Sequence, residues 1–398
     1  MTADDALLEA CRWAPDDDAP RLVWADAIGG ERGELVVLQC DLARGGLAPT
    51  EAAARRRRER ELIARHGAAW AGLGDLPARS RFEFRRGFVE AIELDARTFV
   101  EYGDDIFRRA PLLRSLTAVG LVVESGDPLD GLRRLIHTPA FLRLRGLDVF
   151  GIGRQAQAYD YDPGFDGRGN GAARLLAESG ALAQLDALGI SSSGLVAAGV
   201  HHLVASGQLE HLEELWLRGH DLGGDAVLAV LAHTPRVKAL DLYGATELEP
   251  IAAALPSVTA LHLSGITDAT LAALGRSRAA ATVEELRLSL GALERGDGFR
   301  AFPRLAALDL HATQFDDAER GARDLAAARP ALPALRRLRF TSFAPASALH
   351  LVARALGPQL EELDLRGSAY EPAVVDELQA YVAGEVVGNQ QPAVESLL

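Results

Sequence analysis

The chain has 398 residues, 48% of them hydrophobic and 25% charged, so it is long enough and apolar enough to bury a large core. Its formal net charge of -14 argues against a general nucleic-acid-binding protein and against adhesion to an anionic membrane, because the field of the whole molecule repels polyanions. The two cysteines are too few for a disulfide framework, and no stretch has the pattern of a signal peptide or a membrane span. We therefore expect a globular cytoplasmic protein.

Residues 1–88 are predicted to form a small all-helical domain. Apolar residues recur at helical spacing in residues 7–11 and again in residues 22–27. A glycine pair ends the second helix, and further helices are predicted over Glu31 to Ala43 and over Glu51 to His66.

Four segments between Asp18 and Leu94 resemble the bacterial repeat-companion domain, which precedes leucine-rich repeats. In order they read DAPRLVWADAI, ERGELVVLQCDLA, ARHGAAW and RRGFVEAIEL. The chain departs from the family at Ala27 and Ile28, where tryptophan and leucine are expected, and at the glycine pair that follows. The family has no assigned activity. The resemblance therefore implies a capping domain in front of a repeat array and contributes no catalytic residue.

From residue 89 to residue 383 one spacing of apolar residues returns along the chain. Its clearest copy is LEELWLRGHDL, from Leu212 to Leu222, which fits LxxLxLxx(N)xL, the signature of a leucine-rich repeat. From Leu212 the successive spacings are 25, 21, 25, 22, 30 and 25 residues, close to the range of about 20 to 29 for this class. The first positions of the eleven predicted strands are Val89, Leu113, Leu144, Leu185, Leu212, Val237, Val258, Val283, Leu305, Leu335 and Leu360.

This repeat predicts an α/β solenoid, a leucine-rich repeat horseshoe with parallel strands on its concave face and helices such as 225–232 and 269–275 on its convex face. The pattern resembles that of ribonuclease-inhibitor-like repeat proteins, although other residue types hold the asparagine position. Residues 154–171 are rich in glycine, proline and aspartate and are predicted to form a loop insertion. Residues 384–398 are predicted to be a C-terminal tail.

The insertion offers oxygen ligands of the kind that calcium binds, in Asp160, Asp162, Asp166 and Asn170. In an EF-hand beginning at Asp162, however, Gly164 occupies a ligand position and Ala173 stands where the bidentate glutamate belongs. A flexible insertion without a metal is the better interpretation.

The sequence carries no recognised catalytic motif. Cys11 and Cys40 lie on apolar helix faces, where a buried structural cysteine is the common case. The ten histidines form no HExxH motif, and neither a GxSxG elbow nor a phosphate-binding loop is present. We therefore predict a protein that is not an enzyme and that holds no cofactor and no metal.

Ten arginines between residues 55 and 86 stand against four acidic residues, a local excess of six positive charges. Such a patch could contact nucleic acid through its phosphates. The simpler interpretation is a solvated helix whose arginines pair with neighbouring glutamates.

The outward strand positions predict a binding face. The third, fifth and seventh residues of each strand project away from the helices, so neighbouring strands build a continuous lattice. We expect Trp216 to leave a large apolar area in water and to form a hot spot with Arg218 and Tyr243. The charges of Asp309, Arg287 and Arg339 should cancel one another. The predicted partner-binding residues are Phe150, Trp216, Arg218, Asp241, Tyr243, His262, Arg287 and His311.

These patterns favour a non-catalytic protein–protein interaction module that binds a partner protein on the concave face, as a scaffold, sensor or sequestering regulator. One alternative is an adaptor that contacts nucleic acid through the arginine-rich N-terminal region, and another is an enzyme with an unrecognised site. No membrane partner and no small-molecule substrate are expected.

Overall fold

The computed structural model describes residues 3–76, 80–121, 129–151, 168–219, 222–311, 314–315, 318–340, 345–367 and 370–389. The contacts divide them into two compact units. The first contains residues 3–47 and the described residues of 54–151, and the second contains residues 48–53 and the described residues of 168–389. None of the helices in these ranges combines the length and the apolar character needed to cross a lipid bilayer.

The N-terminal region opens with four helices, as the apolar spacing predicts: α1 (Ala3–Trp13), α2 (Ala19–Ile28), α3 (Gly30–Arg44) and α4 (Pro49–Ala71). Gly29 and Gly30 turn the chain between α2 and α3 with φ of 58° and 60°, angles that favour glycine. The buried faces of these helices pack around Cys11, Val36 and Cys40 against Phe88.

A strand follows where the sequence predicts only helices. β1 (Arg81–Arg85) pairs antiparallel with β2 (Phe88–Asp95), so the expectation of an all-helical region over residues 1–88 is wrong for residues 81–85. Phe82 and Phe84 alternate with charged residues, the period of a strand that buries one face. The two-residue turn has φ of 45° at Arg86 and 84° at Gly87, as a type I′ hairpin requires.

The first unit continues with α5 (Ala96–Arg109), β3 (Ser115–Val119), α6 (Asp130–Ile136) and β4 (Gly146–Phe150). Strands β2, β3 and β4 are parallel neighbours, and Ile92, Leu116 and Leu147 lie side by side in the ladder. Each of these three residues stands at the fourth position of its predicted repeat and is almost fully buried.

The second unit repeats the same strand and helix alternation. Its strands are β5 (Ala187–Ser191), β6 (Glu214–Trp216), β7 (Ala239–Leu242), β8 (Ala260–Ser264), β9 (Glu285–Ser289), β10 (Ala292–Leu293), β11 (Ala307–His311), β12 (Gln314–Phe315), β13 (Arg337–Phe340), β14 (Glu362–Asp364) and β15 (Glu385–Val387). Its helices are α7 (Arg168–Ser179), α8 (Ala197–Ala205), α9 (Gly224–Ala232), α10 (Leu248–Ala254), α11 (Asp268–Arg276), α12 (Ala318–Ala327), α13 (Ala346–Leu356) and α14 (Pro372–Gln379).

All the main strands of the second unit run parallel, and their registers follow the leucine frame. The aligned fourth positions are Leu188, Leu215, Leu240, Leu261, Leu286, Leu308, Leu338 and Leu363. Strands β10 and β12 form a separate two-residue parallel pair. The repeated buried leucines and the single register identify a strand and helix repeat of the leucine-rich type.

The predicted C-terminal tail contains one more strand. β15 pairs in parallel with β14, so that Val386 lies opposite Leu363, and both valines of β15 are buried. Gly384 allows this approach, because a Cβ atom there would lie 2.0 Å from the carbonyl oxygen of Glu361. The expectation of a tail over residues 384–398 is therefore wrong for residues 385–387.

The eighth repeat position has a positive φ wherever it is described in the repeats of β3 to β9. Most of these residues are glycines, but Ser192 has φ of 49° and Leu290 has φ of 52°. The left-handed conformation turns the chain out of the strand in place of the missing asparagine ladder. The glycines at this position are Gly120, Gly151, Gly219, Gly244 and Gly265, and Gly367 repeats the feature after β14.

Candidate partner-binding face

The fifth and seventh positions of β6 to β14 place a line of charged side chains on neighbouring strands. Because the strands are in register, a residue on one strand contacts its counterpart about 4.8 Å away on the next, although 20 to 30 residues separate them in sequence. We call this line the polar row. It consists of Arg218, Asp241, His262, Arg287, Asp309, Arg339, Asp364 and Arg366.

Trp216 does not project into water as the sequence analysis expects. Only 8% of the residue is exposed. The guanidinium carbon of Arg218 lies 5.8 Å from the centre of its ring, and Asp241 is its neighbour across the ladder. Trp216 therefore contributes buried packing area beneath the polar row.

Asp241 is the centre of one half of the row. Its Oδ2 accepts hydrogen bonds from Arg218 Nε at 2.6 Å and from His262 Nδ1 at 2.8 Å. Its Oδ1 accepts from the backbone nitrogen of Tyr243 at 3.0 Å. Burial by itself raises the pKa of Asp241, but the hydrogen bond and charge of His262, with the charge of Arg218, bring that pKa below its ordinary value of 3.8. The cost of burying the Asp241 carboxylate is thus offset by its hydrogen bonds and by the charges of its neighbours.

The same carboxylate begins a relay that ends at a serine. The other ring nitrogen of His262, Nε2, lies 2.8 Å from Ser289 Oγ. Asp241, His262 and Ser289 therefore follow the order of an aspartate–histidine–serine catalytic triad. A nucleophilic serine must reach a substrate carbonyl, and Ser289 is 0% exposed. The relay holds neighbouring strands together and offers no access for acyl transfer.

The other half of the row is less completely paired. Asp309 Oδ2 lies 3.4 Å from Arg287 Nε and 3.7 Å from Arg339 Nη1, and Arg339 Nε lies 3.5 Å from Asp364 Oδ2. Asp309, Arg287 and Arg339 pair across the strands as the sequence analysis expects, but one aspartate does not cancel two arginines. Within the described residues, however, Asp309 Oδ1 and the Nε atoms of both arginines are buried without a hydrogen-bond partner. Burial raises the pKa of Asp309 even though both arginines lower it. These three buried atoms are therefore left without hydrogen bonds in this part of the row.

Arg287 and Arg339 are also the most accessible charges of the row, each with 38% of its side chain exposed. His311 lies beside them, half-buried, and its pKa is lowered by burial first and then by the charge of Arg287. At the far end, Asp364 accepts from Arg366 Nε at 2.9 Å and from Arg366 Nη2 at 2.8 Å. Four arginines against three aspartates leave the row with one net positive charge when His262 is neutral.

The structure thus brings Arg218, Asp241, Tyr243 and His262 together, and the Tyr243 ring lies 5.5 Å from the His262 ring. Phe150 is 40% exposed and belongs to the first unit, whereas the other predicted site residues belong to the second. The predicted site did not include Ser289, because its hydroxyl gains its role only from the hydrogen bond to His262 on the preceding strand, and the sequence does not show that contact.

Of the four candidate calcium ligands, only Asn170 lies within the described residues, and its side-chain oxygen is already used in hydrogen bonds to the backbone. Asn170 lies in α7, and its Oδ1 accepts hydrogen bonds from the backbone nitrogens of Val196 at 3.0 Å and Gly199 at 3.1 Å. The amide therefore binds the start of α8, and residues 168–171 are helical where a loop is predicted. Residues 154–167 of the insertion, with its three aspartates, lie outside the described residues. Among the described residues no group of three His, Cys, Asp or Glu side chains is arranged to hold a metal ion.

Both cysteines are buried, as their helix faces predict, and burial raises the pKa of the Cys40 thiol to about 12. A thiol with this pKa is a poor nucleophile at neutral pH.

Several arginines of the basic patch between residues 55 and 86 pair with acidic residues of α3. Arg58 Nε lies 2.8 Å from Glu34, and Arg65 lies 2.8 Å from Glu31.

No protein-family model matches the chain, and a search of curated proteins finds no match either. Among solved structures, one similar chain is internalin C2 from Listeria monocytogenes, at 16% sequence identity and a TM-score of 0.35. The match covers 57% of this chain and 93% of that one. At this TM-score the likeness adds nothing to the fold assignment, which rests on the strand registers and the buried leucines.

Proposed function

We propose that the chain is a non-catalytic protein–protein interaction module and that the polar row binds an acidic segment of a partner protein. The observation that carries the proposal is the incomplete pairing around Asp309. Arg287 and Arg339 each have 38% of the side chain exposed, and both share the carboxylate of Asp309, at 3.4 Å and 3.7 Å. A carboxylate from a partner would bind the exposed part of these two guanidinium groups, and charge-assisted hydrogen bonds of this kind are the strong ones.

The relay around Asp241 acts as the rigid support for this site. His311 is half-buried beside Arg287 and Arg339, and the half-buried Tyr243 lies 5.5 Å from the His262 ring, so both add aromatic contact area to the charges. With Trp216 buried, the centre of the proposed site moves from Trp216 to Arg287, Tyr243 and His311. A scaffold, a sensor and a sequestering regulator would each use such a surface to bind a partner protein.

We also infer that residues 1–88 form a repeat-companion domain that caps a leucine-rich solenoid of the ribonuclease-inhibitor-like kind. The first repeat of a solenoid needs a cover for its apolar end. The packing of α1 to α3 against Phe88 of β2 supports this role.

Site-specific photo-crosslinking in the organism of origin tests the proposed face. A photoreactive residue at Tyr243 or His311 should capture one protein that a control at Ala272, exposed on α11, does not capture. That protein should then bind the purified chain directly, and Arg287→Glu with Arg339→Glu should weaken its affinity at least about tenfold through charge repulsion. Crosslinks confined to Ala272, or an affinity unchanged by both substitutions, would place the partner elsewhere.

A further inference from the structure

Arg32, in the first turn of α3, carries a guanidinium group surrounded by four aromatic rings. Its guanidinium carbon lies 5.0 Å from the centre of the Trp70 ring, 5.1 Å from that of Phe84, 5.8 Å from that of Phe88 and 5.9 Å from that of Trp24. All four distances are within the range of cation–π contacts. The rings come from α2, α4 and the hairpin of β1 and β2, and we call them the aromatic cage.

The cage holds a cation without an anion. Within the described residues Arg32 forms no ion pair and no hydrogen bond, and its Nη1 is buried without a partner. Burial lowers the pKa of Arg32 to about 10, and no charged neighbour in this part of the chain opposes the shift. The guanidinium therefore remains charged at neutral pH. Because a buried charge without a carboxylate destabilises a fold, the arrangement points to a role beyond packing.

The acidic side chains closest to Arg32 along α3 are bound to other cations. Glu31 lies 2.6 Å from His66 Nε2 and accepts a hydrogen bond from Arg58 Nη2 at 3.2 Å. Glu34 accepts from Arg58 Nε at 2.8 Å. The hydrogen bond of His66 lowers the pKa of Glu31, and that of Arg58 lowers the pKa of Glu34. Both groups are thus carboxylates with partners of their own, and neither neutralises Arg32.

One edge of the Arg32 guanidinium is available to a ligand. A cation–π contact uses the charge of the group and leaves its N–H donors free. Nε and Nη2 also lack hydrogen-bond partners among the described residues, but unlike Nη1 they are not buried. These two nitrogens lie on the same edge and match the two oxygens of a carboxylate. One arginine also balances the single charge of one carboxylate.

Apolar surface surrounds the cage. Trp24 and Trp70 are only half-buried. Ile28 follows Trp24 by four residues, which places both on one side of α2, and 38% of Ile28 is exposed. We propose that Arg32 binds the carboxylate of a ligand whose aromatic or branched aliphatic part packs on Trp24 and Trp70. A free carboxylic acid and the C-terminus of a peptide share this chemistry. The site belongs to the first unit and uses no residue of the polar row.

Calorimetric titration of the full chain with acids and their neutral amides tests the site. 3-Phenylpropionate should bind saturably with a Kd of about 1 mM or below. 3-Phenylpropionamide should bind at least about tenfold more weakly, because it lacks the charge. Acetate should also bind more weakly, because it lacks the apolar part. A short peptide that ends in phenylalanine, with a free or an amidated C-terminus, distinguishes the sources: tighter binding of the free peptide acid than of 3-phenylpropionate would assign the site to a peptide C-terminus, and the reverse order to a small acid.

Variants of Arg32 separate the fork from the charge. Arg32→Met should abolish the binding of 3-phenylpropionate, and Arg32→Lys should weaken it about tenfold, because lysine keeps the charge without the fork. Arg276→Met, at an exposed arginine of the second unit, should leave the affinity unchanged. Arg32→Met should also leave the melting temperature unchanged or raise it, because it removes a buried charge that has no carboxylate partner.

Three results would overturn the proposal. The first is the absence of saturable binding of both acids at about 20 mM. The second is equal affinity for an acid and its amide, or full affinity in Arg32→Met. The third is a melting temperature of Arg32→Met more than about 4 °C below that of the wild type, because Arg32 would then be a structural cation that the rings alone satisfy. Circular dichroism confirms that each variant is folded, and Arg32→Lys keeps the test decisive if Arg32→Met does not fold.

Discussion

Asp241 and His262 occupy the same repeat position on neighbouring strands, and a hydrogen bond of 2.8 Å joins the carboxylate to the imidazole Nδ1. Their separation in sequence is one full repeat. Both side chains face outward from the sheet, but each is buried by its neighbours, and the hydrogen bond between them satisfies the carboxylate and the imidazole Nδ1. It also orients His262 so that Nε2 reaches Ser289 on the following strand.

Asp241→Asn should destabilise the fold by about 3 kcal/mol at pH 7, because it removes the charged partner of buried groups. The pKa of Asp241 is lower in the folded protein than its ordinary value of 3.8, so its stabilisation is present above that value and is lost as the pH falls through the folded pKa. The difference in melting temperature between wild type and variant should therefore stay constant from pH 7 down to about the ordinary pKa of 3.8 and shrink as the pH falls further. A difference that does not shrink below this pH would show that the charge of Asp241 is not responsible.

Trp216→Ala should lower the free energy of unfolding by about 3 to 5 kcal/mol, the usual cost of removing a large buried aromatic side chain. Trp13→Ala is the matched control, because Trp13 is 85% exposed and its loss should change stability by less than about 0.5 kcal/mol. Urea unfolding monitored by circular dichroism measures both. Equal, small effects would mean that Trp216 is accessible after all.

Leu290→Gly should stabilise the protein by about 1 kcal/mol. Leu290 has φ of 52°, a conformation that costs a non-glycine residue about 1 to 2 kcal/mol, and its side chain is 56% exposed, so little buried area is lost. Val196→Gly is the control, since Val196 is 44% exposed at φ of -127° and glycine there should only destabilise. If both variants melt below the wild type, the strain at Leu290 is not significant.

Arg21→Met should destabilise the first unit by about 3 to 5 kcal/mol. Arg21 is 1% exposed and is bonded to Glu90, so its removal leaves a buried carboxylate whose pKa burial already raises. Adding Glu90→Leu should recover most of the loss, because an apolar pair can replace a buried ion pair. A double variant as unstable as Arg21→Met alone would show that the pair acts through more than its charges.

Several features of the fold were determined by the sequence alone. The leucine frame placed Leu215, Leu240 and Leu261 opposite one another because strand side chains alternate and because each repeat buries the same face. The helical spacing of apolar residues around Cys11 and Cys40 likewise predicted buried thiols, because one face of an amphipathic helix is buried.

Only the tertiary structure decided the state of the outward face. Strand alternation predicts that Trp216 points away from the leucine core, but not that it is buried with the Arg218 guanidinium carbon 5.8 Å from its ring. The partners of Asp241, Asp309 and Ser289 come from strands one or more repeats away, and lateral contacts across a sheet follow from register and side-chain length together. The strand β15 was missed for the same reason: three residues carry too little pattern of their own, and their burial comes from pairing with β14.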